Sequence, residues 1–218
     1  MKYCIKYICI LAFLNSIASA QVDRIHAMHF DRNLVPNSII FFGKIVDGAH
    51  WKDDSGEFLF FVTETGKIPS KGECETSDSC FDAEIYAFCY AMTNDSLSLL
   101  WKTVDYERNC SFDLYAGLAD SSIYITDLDS NGIAECTFIY FLSCRSDVSP
   151  SRLKLIMHEG QKKFAIRGTT QPDPTQPADE FAGTMNVDRS FNSVDKRIKL
   201  FATKKFQEYI HKEPFKQF

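Results

Sequence analysis

Between residues 39 and 168 the chain alternates aromatic and β-branched runs with short polar clusters, a pattern of strands and turns on half-buried pleated surfaces. Residues 39–51 (IIFFGKIVDGAHW) and 57–66 (EFLFFVTETG) flank the polar KDDSG, which predicts a hairpin. Residues 83–92 and 97–106 flank TNDS, and 152–159 and 162–168 flank a Gly-Gln pair, predicting two more. A further pair, 122–127 (SIYITD) and 135–144 (ECTFIYFLSC), encloses an acidic loop. In the second of these runs Cys136, Phe138, Tyr140, Leu142 and Cys144 share one face, while Ile139 and Phe141 point the other way. Apolar residues on both faces predict a central strand covered on both sides.

Residues 169–179 (TTQPDPTQPAD) break the pattern with three prolines, which remove ladder donors and favour an extended connector. A helix is predicted over about 193–212. Asn192 or Ser193 is its expected cap, and Val194, Ile198, Phe201, Ala202, Phe206, Tyr209 and Ile210 form an apolar stripe at helical spacing. That stripe packs on the sheet or, alternatively, docks a partner. Glu57, Glu84 and Glu135 each open an apolar strand, but their unequal spacing rules out a propeller repeat. The expectation is a mainly β protein: antiparallel hairpins forming a sheet or sandwich, with a C-terminal α-helix packed on it, as a single β-rich domain over 21–218.

The first twenty residues change the picture of where the protein works. Lys2 and Lys6 precede an apolar run that ends in Ala18-Ser19-Ala20, which reads as a signal peptide over 1–20 and an exported product in the periplasm or at the cell surface. Removing twenty residues from 218 leaves 198, with 22 basic and 29 acidic side chains. That acidic balance argues against nucleic acid as a partner, and no later run reaches transmembrane length. Six cysteines remain in the mature chain, and an even number in an exported chain favours disulfides. Cys74 and Cys80 are the expected local pair. Cys136 and Cys144 lie roughly 26 Å apart along one strand, too far to bond to each other. The others then join as 89–136 with 110–144, or as 89–144 with 110–136, unless some stay reduced as buried apolar groups.

The acidic loop carries the clearest candidate chemistry. In DLDSNGIAE the side chains of Asp127, Asp129, Asn131 and Glu135, with the carbonyl of Ile133, fall at alternate positions around Gly132. Oxygen donors so spaced in a curled loop suit calcium. Phe138 stands where an EF-hand places its bidentate Glu, so the expected site is a weaker loop between β-strands. The competing reading is an acidic hairpin tip turned by Asn131-Gly132 in a type I′ turn. Other candidates are sparser. His26 and His29 have a metal-usable spacing, and His50 and Trp51 adjoin a hairpin tip where a ring can meet a sugar. Glu57, Glu64 and Glu84 are candidate carboxylates of a glycan hydrolase. Asn94 and Asn109 fit the glycosylation sequon.

DAEIYAFCY, then DLDSNGIAECTFIYFLSCRSDVSPSRLKLIMHEGQKKFAIRGTT, a proline-bearing link and a C-terminal helix together resemble a family of exported Bacteroidetes-type proteins labelled surface polysaccharide biosynthesis protein. The likeness spans roughly residues 51–209, and CRSDVSP after the acidic loop is its most specific part. The Cys74–Cys80 loop stands outside it. The resemblance implies a role in the cell envelope affecting surface polysaccharide, and brings no catalytic residues. The expectation is therefore a non-enzymatic envelope protein that binds surface glycan or assists its assembly. A glycan-processing hydrolase and a protein-interaction module of the envelope are the alternatives.

Overall fold

The strand-rich pattern resolves into two antiparallel sheets stacked face to face in a computed structural model, which describes residues 25–72, 74, 79–94, 96–171, 183–212 and 214. The expected signal peptide and most of the proline-bearing connector lie outside the described residues. The first sheet contains β1 (His26–Met28), β2 (Lys44–Asp53), β3 (Gly56–Glu64), β4 (Ile68–Pro69), β5 (Phe81–Thr93) and β6 (Ser96–Cys110). Its order is β1-β2-β3-β5-β6, with β4 beside the start of β5. The second contains β7 (Asp113–Leu118), β8 (Tyr124–Thr126), β9 (Glu135–Arg145), β10 (Arg152–Glu159), β11 (Lys162–Thr169) and β12 (Thr184–Val187). Its order is β12-β11-β10-β9, and β7 and β8 share the far side of β9. All four predicted hairpins form, while β1, β4, β7 and β12 join them unannounced. His26 is thus a strand residue, paired with Lys52 of β2.

Alternation sorts the side chains into three cores. Phe58, Phe60 and Val62 of β3 and Ile85, Ala87 and Cys89 of β5 meet Cys136, Phe138, Tyr140 and Leu142 of β9 between the sheets. Phe138 lies at the centre, with ring centroids 5.3 Å from Phe60 and 6.3 Å from Trp101. The odd-numbered partners on β9, Ile139 and Phe141, face outward onto the helix α1 (Lys196–Tyr209), so β9 is covered on both sides as its pattern requires. On the outer face of the first sheet, Leu59, Phe61, Tyr86, Phe88 and Tyr90 are covered by Val35 and by Phe30, Leu34, Ile39 and Phe41 of the incoming chain. Gly48 allows that close approach: a Cβ there would sit 2.5 Å from both the Phe30 ring and the Phe60 carbonyl.

The helix begins later than its sequence suggests. Asp195, not Asn192 or Ser193, caps it by accepting the Arg197 N–H at 2.8 Å; residues 189–193 form a separate 3₁₀ turn that buries Phe191. Ile198, Ala202, Phe206 and Tyr209 are buried against β10 and β11. Val194, Phe201 and Ile210 pack half-buried beside them, so the stripe packs on the sheet.

Cys74 bonds to Cys80 and Cys110 to Cys144. Cys89 and Cys136 remain reduced and buried, so neither full pairing scheme holds and the third expectation, buried thiols, applies to this pair. Burial pushes both thiols up, and each is affected by a nearby ionisable group: Asp53 for Cys89, and Cys89 for Cys136. The Cys110–Cys144 bridge joins the end of β6 to the end of β9, tying one sheet to the other where the chain crosses between them.

Candidate cation loop

Residues 127–134 link β8 to β9. The strong Asn-Gly turn signal is overridden here. Positive φ occurs at Ser130 (61°) and Gly132 (83°), not at Asn131, so no type I′ pair forms. Asp127 is the cause: its carboxylate accepts the N–H of Asn131 at 3.0 Å and of Gly132 at 3.1 Å, curling the chain around itself. Asp129 also accepts from Asn131 N, at 3.2 Å.

This curl brings Asp127, Asp129 and Glu135 together, with ligand oxygens all within 4.8 Å of one another. Three converging carboxylates form a set that can hold a metal ion. The other two nominated residues play different parts. Asn131 donates to Asp129 at 3.1 Å and to Glu159 at 2.7 Å, and its Oδ1 accepts the Ile133 N–H at 2.7 Å. Ile133 enters this network through its N–H.

Glu135 is fully buried. Its carboxylate accepts from Thr126 Oγ1 at 2.9 Å and from Leu128 N at 3.0 Å. Burial nevertheless dominates and, with the nearby Asp129 charge adding to it, raises its pKa to about 7. The loop is anchored on two sides. Ala134 N donates to Asp53 Oδ2 at 3.0 Å, and Asp54 N donates to the Gly132 carbonyl at 2.9 Å, linking it to the β2–β3 tip. Arg197, at the start of α1, donates to the Asp129 carbonyl at 2.9 Å. No sequence signal marks that last contact, which spans 68 residues.

The remaining candidates do not converge. Glu57 and Glu64 sit at opposite ends of β3, roughly 23 Å apart at strand spacing, whereas glycosidase carboxylates stand about 5–9.5 Å apart. Glu57 bonds to Lys52 and His50, each at 2.8 Å, and these hold its carboxyl below its ordinary value. Glu64 accepts the Leu118 N–H at 2.7 Å; burial raises its pKa in spite of that bond. Glu84 lies on the outer face of the first sheet, bonded to Tyr86 and Arg108. Trp51 is 3% exposed and stacks on Phe58, which makes it a core residue and not a sugar platform. His158 is also buried, stacked 3.9 Å from Trp101, and burial lowers its pKa to about 3.

No family model, curated protein or solved structure matches the chain. Among the described residues no helix is long and apolar enough to cross a membrane, and the two disulfides are compatible with an exported protein.

Proposed function

We propose that this is an exported, non-enzymatic cell-envelope protein that binds surface polysaccharide or assists its assembly, stabilised by calcium at the 127–135 loop. The observation that carries the calcium reading is the convergence of Asp127, Asp129 and Glu135 in a loop fastened to both the β2–β3 tip and α1. Three carboxylates are a hard-oxygen donor set, and ordering them stiffens the junction of sheet, sheet and helix. The polysaccharide reading rests on the sequence resemblance.

Thermal melts of the mature protein test the ion. With a dissociation constant of roughly 10⁻⁴–10⁻³ M, calcium at about 10 mM should stabilise the fold by about 1–3 kcal/mol, raising the melting temperature several degrees. Asp129→Ala should abolish the rise. Identical melts with and without calcium would make the loop a purely hydrogen-bonded turn.

The acidity of Glu135 adds a second readout. Its folded pKa, about 7, lies above its ordinary 4.5. In the absence of the ion, its contribution to stability is therefore present below pH 4.5 and lost as pH rises through 7. A cation must displace that proton, so calcium affinity should fall below pH 7 by up to roughly tenfold per pH unit. Isothermal titration at pH 7.5 and 5.5 measures the change; equal affinities would remove Glu135 from the ligand set.

A further inference from the structure

At the end of the first sheet opposite the acidic loop, a groove of about 510 Å³ opens on the outer face. Its volume falls within the ~300–1,000 Å³ range of small-molecule sites. The wall is assembled from segments far apart in sequence: Phe42 before β2, Lys71 after β4, Asp82, Glu84 and Tyr86 on β5, and Arg108 on β6.

The chemistry of these groups is specific. Phe42 is 69% exposed and stacks on Tyr86 at 6.2 Å between centroids. The Tyr86 hydroxyl donates to Glu84, and Arg108 pairs with Glu84 at 2.5 Å and with Asp82 at 3.5 Å. The same guanidinium lies 4.2 Å from the ring centroid of Tyr106, itself half exposed. Planar donor and acceptor groups thus stand fixed beside aromatic faces. Two cations, Lys71 and Arg108, balance two carboxylates, Asp82 and Glu84. A net-neutral wall favours neither an anion nor a cation. It suits a ligand that offers hydroxyl donors and acceptors together with a flat C–H face for an aromatic ring.

We infer that this groove is a binding site for neutral saccharide, with Phe42 as stacking platform and Glu84 and Arg108 as the hydroxyl-reading pair. The inference rests on the glycan reading above and gives it a location. It also removes Glu84 from the list of catalytic carboxylates, because its partners hold it in a recognition network.

The test is calorimetric titration of the mature protein with neutral hexasaccharides (maltohexaose, cellohexaose, mannohexaose and chitohexaose) and with acidic hexagalacturonate. At least one neutral probe should bind, and Phe42→Ala and Arg108→Met should each weaken it at least about tenfold. Leu200→Ser, at an exposed position on α1, should leave it unchanged. Phe42 and Arg108 are both exposed; circular dichroism of each variant distinguishes lost binding from lost fold, and Tyr106→Ala supplies an independent reading of the same face. Preference for hexagalacturonate would overturn the neutral class. Neutral binding untouched by Phe42→Ala and Arg108→Met would overturn the location while sparing the glycan reading. No binding to any probe would overturn both.

Discussion

Phe138→Ala is expected to destabilise the protein by about 3–5 kcal/mol, the cost of removing a buried phenyl ring from a close-packed core. Phe138 is 1% exposed and lies between the sheets, with Phe60, Trp101 and Tyr140 arranged around its ring. These neighbours sit on three strands, β3, β6 and β9, whose backbones are pinned by ladder bonds and cannot close over the gap. The void should persist, placing the loss toward the upper end of the range. Chemical denaturation would show a lower midpoint with an unchanged slope. A loss below about 1 kcal/mol would mean that the sheets slide together, so this core would not set their spacing.

The second large effect concerns the Cys110–Cys144 bridge. Replacing both cysteines with serine opens a loop of 34 residues. In the chain-entropy account this costs about 3–4 kcal/mol, or roughly 10 °C in melting temperature for a chain of this size. The Cys74–Cys80 bridge closes only six residues, so its removal should cost less. The longer bridge also has a topological role. It fastens the end of β6 to β9 where the chain leaves one sheet for the other, beside the register pair Leu114–Cys144. Scanning calorimetry of the double variant, compared with Cys74→Ser/Cys80→Ser, measures the difference. Equal losses from the two would contradict that role.

How far the sequence alone leads depends on the range of the interactions. The hairpins and β9 were legible because side-chain parity is local: Phe138 and Ile139 declare opposite faces whatever surrounds them. The apolar stripe of α1 was legible for the same reason. Its cap was misplaced because Asn192, Ser193 and Asp195 are all good caps, and the burial of Phe191 in a preceding turn decides among them. β7 was missed because DLYAGL is short and carries a turn-like glycine; its partner β9 is what makes it a strand. The spacing of the acidic loop revealed Asp127, Asp129 and Glu135. The depth of Glu135 and the reach of Arg197 depend on packing, which no local pattern records. The groove was wholly hidden. Phe42, Lys71, Glu84 and Arg108 become neighbours only through strand register.

The bonds between the β2–β3 tip and the cation loop also bear on how such a chain can change over generations. Asp53 and Asp54 are fastened to Gly132 and Ala134 by a side-chain acceptor in one direction and a backbone donor in the other. A replacement at Asp53 strands the Ala134 N–H, and a residue inserted in either tip separates both contacts. The two stretches, eighty residues apart, therefore form a single heritable unit. Drift in one is tolerated only with a matching change in the other.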